Sequence, residues 1–214
     1  MVKDINTNTL GVGSFGSRVV MNGVYYVVLN LPSYGTELWR SDGTAAGTRI
    51  VKDINPGTGS SSPGRLTVIG STLFFVADDR VKGAELWRTD GTEAGTVMVK
   101  DIRTGSDSAD PQNLTVMGST LYFSARDSAA GRELWKSDGT EAGTVMVKDI
   151  RPGSDFSDPT NFEVVGTTLF FRADDGTNGN ELWKSDGSEA GTVMVKDIDT
   201  RVGYGSEPGE LTAD

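Results

Sequence analysis

The feature that most constrains this chain is its internal periodicity. The string VKDI starts at Val2, Val51, Val99, Val147 and Val195, an almost constant spacing. ELW recurs with its tryptophan at Trp39, Trp87, Trp135 and Trp183, at the same interval each time. Residues 133–150 and 181–198 differ only at Thr140 versus Ser188. A chain written four times over in this way folds as four copies of one supersecondary unit, each burying its apolar faces against its neighbours.

One copy, residues 66–102, predicts four short strands, A to D. Residues 66–69 close at Gly70-Ser71, and 72–77, with Phe74-Phe75, stop at Asp78-Asp79. Residues 84–89 end at Asp90-Gly91, a tight-turn pair, and 96–102 run through Val97-Met98-Val99. No stretch has the length and 3.6-residue period of a helix. The strands are apolar on both faces, with Val97 and Val99 expected on one side of strand D and Met98 and Ile102 on the other. A sheet stacked between two others needs that pattern. The predicted fold is therefore all-β, a β-propeller of four-stranded antiparallel blades at about 18–54, 66–102, 114–150 and 162–198. A linear β-solenoid is the rival, but its rungs are much shorter than the repeat in this chain.

A single propeller domain over 1–214 leaves surplus partial strands at 1–6 and 207–214. They suggest an array cut from something longer, or engineered. Four blades sit at the lower end of the known range and are expected to close alone. The alternative is a homodimer, by completion of an eight-bladed ring or by strand exchange.

Composition removes several chemistries. There is no His, hence no imidazole base and no Ser–His dyad, and no Cys, hence no disulfide, thiolate nucleophile or structural zinc. The net charge of −10 argues against nucleic acid and anionic membranes as partners. No apolar stretch approaches the roughly 20 residues of a membrane span, and no apolar h-region of a signal peptide follows Met1. The 28 Gly are mostly turn residues copied once per unit.

The motif ELW-x-x-DGT-x-x-GT stands at 37–48, 85–96, 133–144 and 181–192, departing only at Ser188. It resembles that of the bacterial ELWxxDGT-repeat proteins, and the resemblance covers nearly the whole chain. The strand grammar is also similar to that of TolB-like propellers. The resemblance implies a non-catalytic propeller from a large bacterial protein, secreted or at the cell surface. It implies no ligand.

Topology sorts the turns into two faces. The C–D pairs Asp42-Gly43, Asp90-Gly91, Asp138-Gly139 and Asp186-Gly187 are read as structural, the carboxylate capping its own turn, rather than as calcium ligands. Trp39, Trp87, Trp135 and Trp183 are read as packing against the neighbouring blade rather than stacking on sugars. The VKDI lysine and aspartate are expected to bridge blades or cap the D–A loop. The opposite face is varied and acidic, with Asp78, Asp79, Asp107, Asp110, Asp127, Asp155, Asp158, Asp174 and Asp175 on its loops. Varied loops on a rigid scaffold are where binding resides. Phe156, alone in such a loop, is the aromatic candidate for ligand contact, with Tyr34 and Tyr204 similar. Carboxylates on turns also suit Ca²⁺, at Asp107, Asp110, Asp155 and Asp158, although no loop has the EF-hand spacing; no other cofactor is expected.

These residues favour a binding or adhesion module for a polar ligand, glycan or protein. The alternatives are a structural spacer in a longer surface protein, or a fragment or engineered array without ligand. A glycan-active enzyme is the remotest reading. A near-perfect repeat presents the same groups four times, whereas catalysis needs different groups converging on one point.

Overall fold

The structure is a computed structural model, describing residues 16–201, 205–206 and 208–209. The surplus strands expected at 1–6 and 207–214 lie outside these residues apart from Pro208 and Gly209, and so does Tyr204. All sixteen described elements are strands, in four antiparallel four-stranded meanders, each in sequence order. Repeat 1 comprises β1 (Arg18–Met21), β2 (Val24–Leu31), β3 (Gly35–Ser41) and β4 (Arg49–Ile50). Repeat 2 comprises β5 (Gly64–Ile69), β6 (Thr72–Asp78), β7 (Ala84–Thr89) and β8 (Val97–Lys100). Repeat 3 comprises β9 (Gln112–Met117), β10 (Thr120–Asp127), β11 (Gly131–Ser137) and β12 (Val145–Lys148). Repeat 4 comprises β13 (Thr160–Val165), β14 (Thr168–Asp174), β15 (Asn180–Ser185) and β16 (Val193–Lys196). The chain groups into two compact units, residues 1–108 with repeats 1 and 2, and residues 109–214 with repeats 3 and 4.

Register explains why each sheet is apolar on both sides. In repeat 2, Phe75 pairs with Trp87 and Trp87 with Met98, a row of large apolar side chains across one face. Leu73 and Ala77 share that face by the two-residue period of β6. The opposite face carries Phe74, Val76 and Leu86. Within the first unit, the row of repeat 2 packs on Tyr26, Val28, Leu38, Val51 and Ile54 of repeat 1. In the second unit, Leu169, Phe171, Ala173 and Trp183 of repeat 4 pack on Tyr122, Leu134, Val147 and Ile150 of repeat 3. Each repeat thus has an incoming face, built on the tryptophan, and an outgoing face, built on the leucine beside it. All four Trp are buried, and none of their Nε1 atoms finds a hydrogen-bond partner among the described residues.

One placement differs from the sequence reading. Ile102 was expected opposite Val99, yet in repeat 1 the equivalent Val51 and Ile54 lie together on the outgoing face. Ile50, the counterpart of Met98, packs instead with Val27, Leu29 and Trp39. Strand D is shorter than its apolar run: β8 ends at Lys100, so strand alternation does not extend to Ile102.

Polar contacts reinforce the packing. Lys52 Nζ donates to Thr96 O at 3.0 Å and Lys148 Nζ to Thr192 O at 2.9 Å, so the VKDI lysine reaches the following repeat. Arg40 and Lys136 likewise donate to the carbonyls of Gly91 and Gly187. Gly187 has φ +89°, and a Cβ there would also overlap the Tyr122 hydroxyl, whereas Gly166 (φ +63°) faces open space. Gly166→Ala is therefore expected to cost only the left-handed backbone penalty, about 1–2 kcal/mol. Gly187→Ala is expected to cost about 1–3 kcal/mol more from overpacking. Tyr122→Phe should recover part of that excess, as read in urea unfolding midpoints.

Candidate functional site

The C–D turns close on themselves. Asp42, Asp90, Asp138 and Asp186 each accept the backbone N–H of the residue two positions on, at 2.8–2.9 Å, and its side-chain hydroxyl at 2.7 Å. Those hydroxyl bonds hold the carboxyls of Asp42, Asp90 and Asp186 below the usual range. The aspartate is consumed by its own turn, an Asx-turn.

The opposite end is organised by a residue that the sequence reading passed over, the glutamate of ELW. Glu37, Glu85, Glu133 and Glu181 are all sealed from solvent. Glu37 accepts the N–H groups of Ile54, Asn55 and Ser61, and the Ser61 hydroxyl at 2.5 Å. Glu133 accepts the N–H groups of Ile150 and Ser157 and the Ser157 hydroxyl at 2.6 Å. Glu181 accepts those of Ile198, Asp199 and Ser206, with the Ser206 hydroxyl at 2.6 Å. The carboxylate pins both ends of the D–A loop that follows. The loop beginning is held a second time by the VKDI aspartate, since Asp53 accepts Gly57 N–H and Asp149 accepts Gly153 N–H.

The short B–C loops dock on these D–A loops. Gly35 and Gly131 have positive φ and no room for a Cβ, which would overlap the backbone of Gly59 and of Asp155. Five of the sequence-proposed carboxylates sit in B–C loops and cap them. Asp78 accepts Arg80 N–H, and Asp79 accepts those of Val81 and Lys82. Asp127 accepts those of Ala129 and Ala130, Asp174 that of Gly176, and Asp175 those of Thr177 and Asn178. Their two-residue offset to the donor is what builds the turn.

The remaining four proposed carboxylates are paired with arginine. In the first unit Asp107 meets Arg103 at 3.0 Å. In the second, Asp110 meets Arg132 at 2.9 Å, Asp158 lies 3.6 Å from the same guanidinium, and Asp155 meets Arg151 at 3.4 Å. Arg151 also bonds Asp174 at 2.9 Å. Arg132 is almost wholly buried, and its carbonyl accepts the N–H groups of Ser157 and Asp158. Burial lowers its pKa, opposed by the charge of Asp110. The sequence held one signal for it, since its counterparts Thr36, Ala84 and Asn180 carry no charge.

Phe156 stands at the centre of this group. Its ring lies against the backbone of Gly131, the Arg126 guanidinium sits 5.2 Å from the ring centroid, and the residue is 40% exposed. Beside it a groove of about 320 Å³ is lined by Arg151, Ser154, Asp155, Phe156 and Asp158. The groove combines an open apolar ring with hydrogen-bond acceptors and a guanidinium, and suits a neutral, hydroxylated ligand better than a bare cation. Among the described residues no group of three or more carboxylates converges as metal ligands. Tyr34 is half-exposed and set edge-on to Trp39 at 5.7 Å, in the first unit.

The geometry thus defines a class, a propeller-like all-β protein. No protein-family model matches the chain, and no curated protein matches it. Among solved structures it is similar to a puromycin-hydrolyzing peptidase of Mycobacterium tuberculosis, with TM-score 0.58 and 12% identity over 89% of this chain and 30% of that one. An acylaminoacyl peptidase of Pyrococcus horikoshii aligns with TM-score 0.53 and 11% identity, over 86% of this chain and 27% of that one. The computationally designed Ika8 protein aligns over 100% of this chain and 56% of its own, with TM-score 0.49 and 12% identity. The chain spans less than a third of either peptidase, and the likeness to them shows fold alone.

The buried glutamates carry a pH signature. Burial raises the Glu37 carboxyl, and raises that of Glu133 from 4.5 to about 7 against the opposing bonds from Ser157 and Ile150. At Glu181 burial also acts upward, but the bonds from Ser206, Ile198 and Asp199 outweigh it and hold the carboxyl below its ordinary value. A raised folded-state value means that the native protein holds the Glu133 proton more tightly than the unfolded chain does. This group's contribution to stability is complete below about pH 4.5 and lost as pH rises to about 7. Glu133→Gln is expected to flatten the fall in urea midpoint across that window while lowering the midpoint at its acid end.

Proposed function

We propose that this chain is a non-catalytic glycan-binding module of the ELWxxDGT-repeat type, acting at the bacterial cell surface or outside the cell, with its ligand site on the D–A and B–C loops. The observation that carries this reading is the exposed Phe156 ring, braced from behind by Arg126 and bordered by Arg151, Ser154, Asp155 and Asp158. An aromatic face takes the apolar side of a sugar ring, while carboxylate and guanidinium groups take its hydroxyls.

Enzymatic action has little support from the site. The carboxyl raised to about 7 belongs to Glu133, which has no access to solvent and is fully engaged with the Ile150–Ser157 loop. Its perturbed pKa has a structural cause and reaches no substrate. The names of the two peptidases describe those proteins.

A second reading, a structural spacer without ligand, is favoured by the turn-capping roles of Asp78, Asp79, Asp127, Asp174 and Asp175. A glycan array run with Ca²⁺ and with EDTA separates the two. The binding reading expects a signal that Phe156→Ala lowers at least tenfold, about 1.4 kcal/mol, with an unchanged circular dichroism spectrum. Silence across the array, with a thermal midpoint indifferent to Ca²⁺ and EDTA, establishes the spacer.

A further inference from the structure

The loops of the second unit hold more acid than their arginines neutralise, and the surplus falls at one place. Arg132 meets Asp110 through two bonds of 2.9 Å, Nη1 to its carbonyl and Nη2 to its carboxylate, whereas Asp158 lies 3.6 Å from Nε. Arg151 meets Asp174 at 2.9 Å and Asp155 only at 3.4 Å. Each guanidinium thus has one close acid and one distant acid. The distant ones, Asp155 and Asp158, are the two that line the Phe156 groove. Their side chains are 71% and 59% exposed, against 27% for Asp174 and 36% for Asp110. A third guanidinium, Arg126, lies over the Phe156 ring and makes no ion pair among the described residues. Even with it, carboxylates outnumber guanidiniums, and the least neutralised of them border the groove.

The preceding D–A loops show what is particular to this one. Asp107 and Asp110 are the sequence equivalents of Asp155 and Asp158, but the place of Phe156 is taken by Ser108, whose hydroxyl accepts the Ala84 N–H at 2.9 Å. One loop earlier, Ser60 does the same for the Thr36 N–H. Phe156 cannot make that bond, and it remains 40% exposed beside the two carboxylates. Among these three loops, an open apolar ring and two loosely held acids come together only at 155–158. The groove therefore makes two demands of one occupant, a flat apolar surface and a positive charge.

Resting on the glycan-binding reading of this groove, we propose that its ligand is an amino sugar, a pyranose carrying a protonated amine. The apolar face of the sugar lies on Phe156, its ammonium group faces the carboxylates of Asp155 and Asp158, and its hydroxyls meet Ser154 and the Arg151 guanidinium. A bare cation leaves the ring unused, and a neutral sugar brings the carboxylates no charge to meet. A uronic acid is opposed by the local surplus of acid and by the net charge of −10. The volume of about 320 Å³ is at the lower end of the roughly 300–1,000 Å³ of small-ligand sites, and fits a sugar better than a protein surface. A lysine side chain supplies the charge but no rigid flat face, and fixing its rotamer costs entropy that a closed ring does not lose.

Calorimetric titration of the 214-residue chain with tetramers of glucosamine, N-acetylglucosamine and glucose, all of one β-1,4 linkage, tests this. The glucosamine tetramer is expected to bind about fivefold more tightly than either neutral one. That advantage should shrink at high salt, because the carboxylates are exposed. Asp155→Asn with Asp158→Asn is expected to abolish the preference while leaving the neutral tetramers within about twofold. Asparagine tolerates the left-handed backbone of Asp158, at φ 44°, and the comparison on the unsubstituted chain decides even if the variant does not fold. A neutral tetramer that binds as tightly as the glucosamine one overturns the proposal and leaves the glycan reading standing. A preference that persists in the folded double variant overturns it too. So does a lysine tetrapeptide that binds as tightly, because charge alone then suffices. If no tetramer binds, the amino-sugar proposal is lost, and the glycan reading falls with it only where the array is silent as well.

Discussion

The structure turns on a buried carboxylate solvated by the protein's own main chain. In each repeat the glutamate of ELW lies sealed in the sheet, and its charge is met by backbone N–H groups and, in repeats 1, 3 and 4, a serine hydroxyl. Taking a carboxylate out of water is costly unless such donors replace the water. The donors come from the loop that leads into the next repeat, so satisfying the charge fixes the loop. Loss of the carboxylate would leave those amides buried and unpaired, at about 1–3 kcal/mol each. The apolar faces supply most of the driving force for stacking; the glutamate decides where the connection between stacked sheets runs.

That connection sets the geometry of the candidate site. The Glu133 anchor grips the chain at Ile150 and Ser157, and Gly131 admits the loop close against the B–C turn. Between those fixed points Phe156 lies partly exposed, its ring 5.2 Å from the Arg126 guanidinium. The neighbouring charges form a largely paired set, with Arg132 between Asp110 and Asp158 and Arg151 between Asp155 and Asp174. The loop face is therefore less acidic in effect than its composition suggests. Most of its carboxylates hold the loops in shape, and few are left to meet a ligand.

Much of the fold was legible in the sequence because repetition makes each pattern visible four times. Strand C of repeat 2 runs from Ala84 to Thr89 as the turn signals predict, and Asp90-Gly91 closes it. Trp87 and Trp183 pack on the preceding repeat, and the VKDI lysine and aspartate perform one of the two expected tasks each. The side of Ile102 was not legible, because strand alternation gives no warning of where a strand stops. The glutamates were missed because a lone acid beside Leu-Trp reads as a solvated position. Their serine partners, Ser61, Ser157 and Ser206, stand far along the chain at the other end of the next loop, and only the fold brings them together. Asp78, Asp79, Asp127, Asp174 and Asp175 looked like ligand donors because an Asx-turn and an open oxygen ligand have the same composition.

The way the loops are fastened bears on how such a protein can diversify. The glutamate and the VKDI aspartate grip mainly main-chain amides, joined in repeats 1, 3 and 4 by a serine hydroxyl whose place in repeat 2 is taken by Ala109. The anchor is therefore blind to nearly everything the loop spells. Residues between the two grips are free to change without disturbing the sheet beneath, much as an instrument can be refitted with new tips while its handle stays the same. Copying such a unit multiplies sockets, and each socket accepts its own insert.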